Sequence, residues 1–352
     1  MTPFRPPVVP DRYDALLLHS FGGPERKDDV VPFLENVLRG KNVPRERMLD
    51  VAEHYYHFGG KSPINGQNRA LIAALESELR AQGPALPIYW GNRNWHPMLA
   101  DALRQMRADG VRRALAFATS AFGSYSGCRQ YREDVERARA EIGPGAPEIH
   151  KLRTFHDHPG FIRAMADRVR EALGRIPDSR RAAAPLLFTA HSIPLSMAET
   201  SPYVAQLEES CRLVSQAVGH AGVLVYQSRS GPPTQPWLEP DVCDYISRLH
   251  AGGTPVDVVL APMGFLSDHM EVVYDLDMEA AGLCRKLGVN LSRAATVGVH
   301  PAFVSTIREL ILERMEGRER RCLGTLSAGC DICGPDCCPP PKQAPVKSAE
   351  VR

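Results

Sequence analysis

Residues 186–194 read Leu186-Leu187-Phe188-Thr189-Ala190-His191-Ser192-Ile193-Pro194. An apolar run without alternation describes a strand buried on both faces, the mark of a parallel sheet covered by helices. Pro194 stops regular structure, so His191 stands on a stiff turn just beyond the strand. Working outward, similar runs occur at 15–19, 88–90, 114–118, 222–226 and 256–260. Between them, 69–79 puts Leu71, Ile72, Leu75 and Leu79 on one helical face, and 98–106 repeats the pattern and stops at Gly110. Strand and helix thus alternate in two successive α/β sets. The Pro/Gly-rich stretch 143–147 is the best linker, giving an N-terminal α/β domain at 11–150 and a C-terminal one at 151–300. A helix that returns to the first half and a cysteine-rich segment fill 301–338, and a Pro-rich tail at 339–352 is expected to be disordered. No short-period repeat is visible. Both halves nevertheless show a strand, a Ser-containing turn and a helix, at 18–23 and at 189–194, which hints at duplication.

Composition narrows the classes. A chain of 352 residues exceeds what one core usually serves. With 42 basic and 41 acidic residues the net charge is +1, which supplies neither a nucleic-acid footprint nor a polybasic membrane tether. The first 14 residues are proline-rich, contain Asp11 and Asp14, and lack the apolar core of a secretory signal. No apolar run approaches the roughly 18 residues of a membrane helix. A soluble, cytoplasmic, monomeric protein is expected. In that compartment nine cysteines suggest metal rather than disulfides, and four of them crowd into 330–338.

Chemistry in parallel sheets gathers beyond the carboxyl ends of strands, where His191 sits. After the run ending near Leu260 comes Gly264-Phe265-Leu266-Ser267-Asp268-His269-Met270-Glu271, then Asp275, Asp277 and Glu279. A helix is expected from about Ser267. On it Glu271, Asp275 and Glu279 fall at i, i+4 and i+8, carboxylates at steps of roughly 6 Å on one face. Like charges repel there, and neither Lys nor Arg intervenes between Asp268 and Arg285. A solvated face is the plain alternative; a ladder of oxygen ligands that passes a divalent cation inward is the functional one. Glycine turns at 20–24 and 59–66 permit close ligand approach but are not a dinucleotide fingerprint. Between them Arg39, Lys41, Arg45 and Arg47 alternate with Tyr55, Tyr56 and Phe58, a mixture suited to a flat ring bearing carboxylates. Cys330, Cys333, Cys337 and Cys338 form a thiolate cradle for zinc or an iron–sulfur cluster, with Cys128 or Cys322 available as a further ligand. Cys211, Cys243 and Cys284 fit helical patterns as small buried residues.

These motifs resemble the ferrochelatase family from about Asp14 to Arg314. The resemblance is carried by Phe188-Thr189-Ala190-His191-Ser192-Ile193-Pro194 and by the acidic stretch from Ser267 to Asp277. Further matches are Phe21-Gly22-Gly23-Pro24-Glu25, Gly59-Gly60-Lys61-Ser62-Pro63, Gln227-Ser228-Arg229-Ser230-Gly231 and Pro236-Trp237-Leu238. It implies a chelatase-like α/β fold of two doubly wound, Rossmann-like domains, each with a parallel four-stranded sheet and with a porphyrin in the cleft between them. It implies catalysis by His191 and Glu271, metal contacts from both, and Asp275 and Glu279 extending outward. Porphyrin contacts carry onto Phe21, Arg39, Ser62 and Tyr131. Phe21 stands where Bacillus-type members have tyrosine, which excludes a phenolate ligand there. In some members a C-terminal cysteine cluster joins one internal cysteine around a [2Fe-2S] centre; by resemblance the ligands are Cys128, Cys330, Cys333 and Cys338, with Cys337 as the alternative to Cys338.

The implied reaction is insertion of Fe²⁺ into a porphyrin with release of two protons, a lyase step of haem biosynthesis. Likeness to the actinobacterial group and the cationic stretch near the cleft favour coproporphyrin III, whose four propionates need several cations, over protoporphyrin IX. The expected partners are this porphyrin, Fe²⁺ and, transiently, neighbouring haem-pathway enzymes. A non-catalytic tetrapyrrole or iron–sulfur sensor, and a cobalt or nickel chelatase, are the competing readings. A sensor needs no base, which argues against it.

Overall fold

The computed structural model describes residues 12–41, 43–231, 234–253 and 256–340; beyond Pro340 the proline-rich tail lies outside them. Eight strands form two sheets. β1 (Ala15–Ser20), β2 (Ile88–Asn92), β3 (Arg113–Ala118) and β4 (Glu148–Lys151) make the first, in the order β2-β1-β3-β4. β5 (Leu186–His191), β6 (Gly222–Gln227), β7 (Asp257–Ala261) and β8 (Asn290–Arg293) make the second, in the order β6-β5-β7-β8. Every pairing is parallel. The two halves therefore repeat one topology. All six apolar runs became strands, and the inner ones are buried along nearly their whole length. β4 and β8 carried no such signal because each is an edge strand with polar residues facing out, Glu148-Ile149-His150-Lys151 and Asn290-Leu291-Ser292-Arg293. The glycine- and proline-rich stretch 143–147 is not the crossing between sheets. It turns the helix Gln130–Ile142 into β4, and the crossing comes afterwards, at 152–158.

In each sheet the strand order reverses between neighbours, β1 and β3 in the first and β5 and β7 in the second. Such reversals open a crevice at the carboxyl ends of those strands. Behind the crevices the halves share one core. Phe117, Phe155, Phe161 and Phe303 pack ring against ring between the first sheet and the helices Pro159–Gly174 and Pro301–Glu316, and each is fully buried. Each contributes about 1.5–3 kcal/mol relative to exposure. The helix Pro301–Glu316 also reaches the first half, where Glu78 accepts from Ser305 and Arg308.

The two helices begin alike. His158 and His300 are their N-caps, Nδ1 accepting from Gly160 N and Ala302 N, and Pro159 and Pro301 fill the first turn. Each cap faces an acid on the other helix: His158 Nε2 lies 3.3 Å from Glu309, and His300 Nε2 lies 3.4 Å from Asp167. The repeat is legible in sequence once aligned, Thr154…His158-Pro159…Phe161 against Thr296…His300-Pro301…Phe303.

Candidate active site

His191 is the last residue of β5, and Glu271 lies on the segment that follows β7, so both flank the second reversal point. The His191 Nδ1 is 2.5 Å from the Ser192 carbonyl. A carbonyl only accepts, so Nδ1 carries the proton and the lone pair of the neutral ring is on Nε2. That Nε2 is 3.7 Å from Glu271 Oε2, and the side chains remain 32% and 52% exposed, so solvent reaches both. Tyr203 fixes the strand end by donating to the His191 carbonyl. On the other side of Glu271, His269 Nδ1 stands 3.8 Å from the same oxygen.

The electrostatics follow from this crowding. Burial disfavours the charged imidazole of His191, but Glu271, the Ser192 carbonyl and Asp275 outweigh it and raise its pKa. Burial likewise opposes the Glu271 carboxylate, yet His191, His269 and Lys41 hold it down to about 2. Asp275 is pushed up to about 7, by burial first and then by Glu271 and Glu279, against the lowering effect of its bond from Ser228. Burial raises Glu279 too, with Asp241 adding to it. Neighbouring carboxylates whose pKa values are driven apart are suited to hand protons along the row.

The element carrying this row departs from the expected helix. It begins at Met270 rather than Ser267, makes one short α turn over Met270–Val272, widens into a π-helix over Val273–Ala280 and returns to α over Ala281–Leu287. Such widened turns recur at functional sites. Arg293 binds the flanking Asp268 and Asp277 in ion pairs of 3.0 and 2.5 Å. Asp275 instead accepts from the neutral side chains of Ser228 and Gln227.

The first half supplies the facing wall. Phe21, Phe33, Tyr55 and Trp95 form an aromatic cluster that also receives Met270, next to Glu271. Gln67 holds Asp268 by its backbone N–H and carboxylate, and His54 stacks on Tyr274 with ring centroids 3.7 Å apart. Beside that stack opens a cavity of about 450 Å³ lined by Glu53, His54, Tyr56, His57, Tyr274 and Met278, within the usual size range of small-molecule sites. Of the other residues expected at the porphyrin, Arg39 is exposed and turned onto Asn36. Ser62 is 2% exposed and packs against Gly23. Tyr131 is 8% exposed, its ring edge-on to His19 and under the Arg93 guanidinium at 4.2 Å.

A second cluster lies beyond β3. Cys128, Cys333, Cys337 and Cys338 line a small enclosed cavity with Arg129, Arg132 and Lys151. The Cys337 and Cys338 sulfurs are 3.8 Å apart, and Cys333 stands close to both Cys128 and Cys337, so the four thiols form one continuous cluster. Cys330 is exposed and outside this lining; its carbonyl accepts from Lys151. Cys322 is exposed as well, whereas Cys211 and Cys284 are buried and Cys243 partly so. Among the described residues no group of three or more His, Cys, Asp or Glu side chains surrounds a single metal-ion position. Four clustered thiols are the donor set that a two-iron cluster would need, two cysteines to each iron.

His269, Gln227 and Ser228 were given no individual role by sequence reading, and Lys41 only that of one cation among several. A signal existed. Phe122, Ser124, Cys128 and Tyr131 follow β3 at the same spacings at which Phe265, Ser267, Glu271 and Tyr274 follow β7. Both segments run into π-helix, the first over Tyr125–Arg129. Cys128 thus occupies in the first half the place of Glu271 in the second.

Comparison with known proteins agrees in extent with this layout. A family model described as Ferrochelatase matches residues 13–315. The ferrochelatase of Rhodopirellula baltica is 58% identical over 337 residues, covering 95% of this chain and 96% of its own. The coproporphyrin III ferrochelatase of Nocardia farcinica is 51% identical, covering 94% and 97%. Among solved structures, SirB from Bacillus subtilis with Fe³⁺ superposes with a TM-score of 0.54 at 12% identity, over 87% of this chain and 98% of that one, a likeness of fold.

Proposed function

The chain belongs to the ferrochelatase family and is a metal chelatase of haem biosynthesis, and from that premise we propose that it inserts Fe²⁺ into coproporphyrin III to give Fe-coproporphyrin III. The observation that carries this reading is the imidazole Nε2 of His191 facing the Glu271 carboxylate at 3.7 Å across the β5/β7 reversal, with Asp275 behind. Metallation must remove two pyrrole protons and strip water from the cation. A neutral His191 accepts a proton at Nε2. Glu271, held ionised, offers the incoming cation a hard oxygen. Asp275 and Glu279 extend that path toward solvent for cation entry and proton exit. Phe21 stands on the first-half side, with Arg39 and Lys41, for a flat substrate bearing carboxylates, whereas Ser62 and Tyr131 are buried in the wall itself.

The choice of coproporphyrin III is supported by the names of relatives such as that from Nocardia farcinica and by the cations at 39–47. The clustered thiols support a resident [2Fe-2S] cluster held by Cys128, Cys333 and Cys338, as the resemblance implies, with Cys337 taking the place expected for the exposed Cys330. Such a cluster would supply one-electron redox chemistry; the protein's part is the cradle and the three cations around it. No described helix is long and apolar enough to cross a membrane; a cytoplasmic monomer acting beside other haem-pathway enzymes belongs to the same proposal.

The test is anaerobic turnover of coproporphyrin III and protoporphyrin IX with Fe²⁺, for the native protein and His191→Ala. Preferred metallation of coproporphyrin III is expected, with kcat lowered by about a hundredfold or more in the variant while porphyrin binding, read by absorbance shift, persists. Preference for protoporphyrin IX would refute the substrate, and near-normal turnover by His191→Ala would refute the base.

A further inference from the structure

Ser228 is one of two described non-glycine residues with a left-handed backbone, at φ +63°. Side chains rarely adopt that conformation, and where surroundings enforce it the strain commonly serves a site. Here the surroundings are the end of β6, whose last residue, Gln227, lies in register with His191 on β5. The turn that follows aims the Ser228 hydroxyl at Asp275, donating to Oδ2. Gln227, 1% exposed and so fixed in place, sends its Nε2 to the same oxygen at 3.3 Å and to the Glu271 carbonyl at 3.3 Å. One strained dipeptide therefore grips the carboxylate row at two successive turns.

The chemistry of the grip separates this row from its neighbours. Asp268 and Asp277 share the Arg293 guanidinium in ion pairs. A hydroxyl and an amide orient a carboxylate without tying it to a fixed cation, which leaves it open to a passing one. Partners behind a metal-binding group set its direction and affinity in this way.

We propose that Ser228 is a positioning residue for iron delivery: by anchoring Oδ2 of Asp275 it presents Oδ1 to the cation on its way to Glu271 and His191. The proposal rests on the reading that Asp275 lies on the iron path. Steady-state rates of Ser228→Ala, Ser228→Gly and Asp275→Ala are compared under anaerobic conditions. Fe²⁺ is varied at saturating coproporphyrin III, and then the porphyrin at saturating Fe²⁺. Both Ser228 variants are expected to raise KM for Fe²⁺ roughly ten- to hundredfold, with a smaller effect on kcat and none on KM for the porphyrin. Glycine relaxes the backbone, so an equal defect in the glycine variant assigns the effect to the missing hydroxyl rather than to misfolding. Ser228→Asn, which tolerates this backbone and carries a donor amide, is expected to restore part of the loss. An unchanged iron KM in Ser228→Gly, or equal rises for both substrates, overturns the proposal. If Asp275→Ala itself leaves the iron KM unchanged, the iron-path reading fails instead.

Discussion

At the scale of single residues, His191 and Glu271 set each other's charge state. The carboxylate raises the imidazole and the imidazole lowers the carboxylate. A base must be neutral to act, so with His191 as the proposed base turnover is expected to rise with pH as the imidazole loses its proton. Glu271→Gln removes the main upward influence on His191. Its pKa then falls, and the acid limb of the kcat/KM profile is expected to move to lower pH while the maximal rate drops. A limb that stays put or moves up would show that another group is the base. The sequence pointed to these two residues through position, beyond a strand end and on an acidic stretch, and through the family motifs that contain them. The effect of Lys41 and His269 on Glu271 escaped it because that influence is electrostatic and acts through space, with no spacing to betray it.

At the scale of elements, the helix pair Pro159–Gly174 and Pro301–Glu316 makes a pH-dependent prediction. A cap that accepts from backbone N–H must be neutral. Burial, then Arg153 and Arg321, lower His158 to about 3, and burial also lowers His300. Because the folded pKa is depressed below the unfolded value of about 6.5, the unfolded chain binds more protons as pH falls below that value. Stability is therefore complete above about pH 6.5 and falls toward the folded pKa, for His158 by on the order of 2 kcal/mol at pH 5. His158→Gln is expected to flatten this fall in urea titrations between pH 7 and 5, at a cost at neutral pH of about 1 kcal/mol from the weakened cap. An unaltered slope would place the titration elsewhere. The carboxylate row teaches the converse lesson. Its spacing was readable, but the widening into π-helix was not, because an i to i+5 bond depends on what packs around the segment rather than on residue type.

At the scale of the molecule, the helix Tyr203–Val218 ties the active-site strand to the region of the cysteines. Tyr203 donates to the His191 carbonyl, Gln206 accepts from Gly123 ahead of the Cys128 turn, and Glu209 accepts from Thr325 in the segment leading to the cysteines. That C-terminal segment lies over buried His156 and Asp157 and is tied down at the Asp157 carbonyl and by Arg153, Arg132 and Arg129. Cys128 meets the C-terminal cysteines only through this course of the chain. With the proposed [2Fe-2S] cluster in this cradle, Cys128→Ser is expected to abolish the visible absorption of the purified protein and to lower its Tm, whereas Cys211→Ser, remote in a helix, leaves the spectrum intact. A spectrum indifferent to Cys128 would remove it from the cluster.

Local pattern alone determined the alternation of buried strands and amphipathic helices, the turn that exposes His191 and the clustering of carboxylates and thiols, because burial on both faces and helical periodicity are written in neighbouring residues. Tertiary structure alone decided that β5 and β7 stand side by side, that Ser228 reaches Asp275, and that Cys128 faces partners some two hundred positions away. Those contacts arise from strand order and loop course, which depend on how the whole chain closes its shared core.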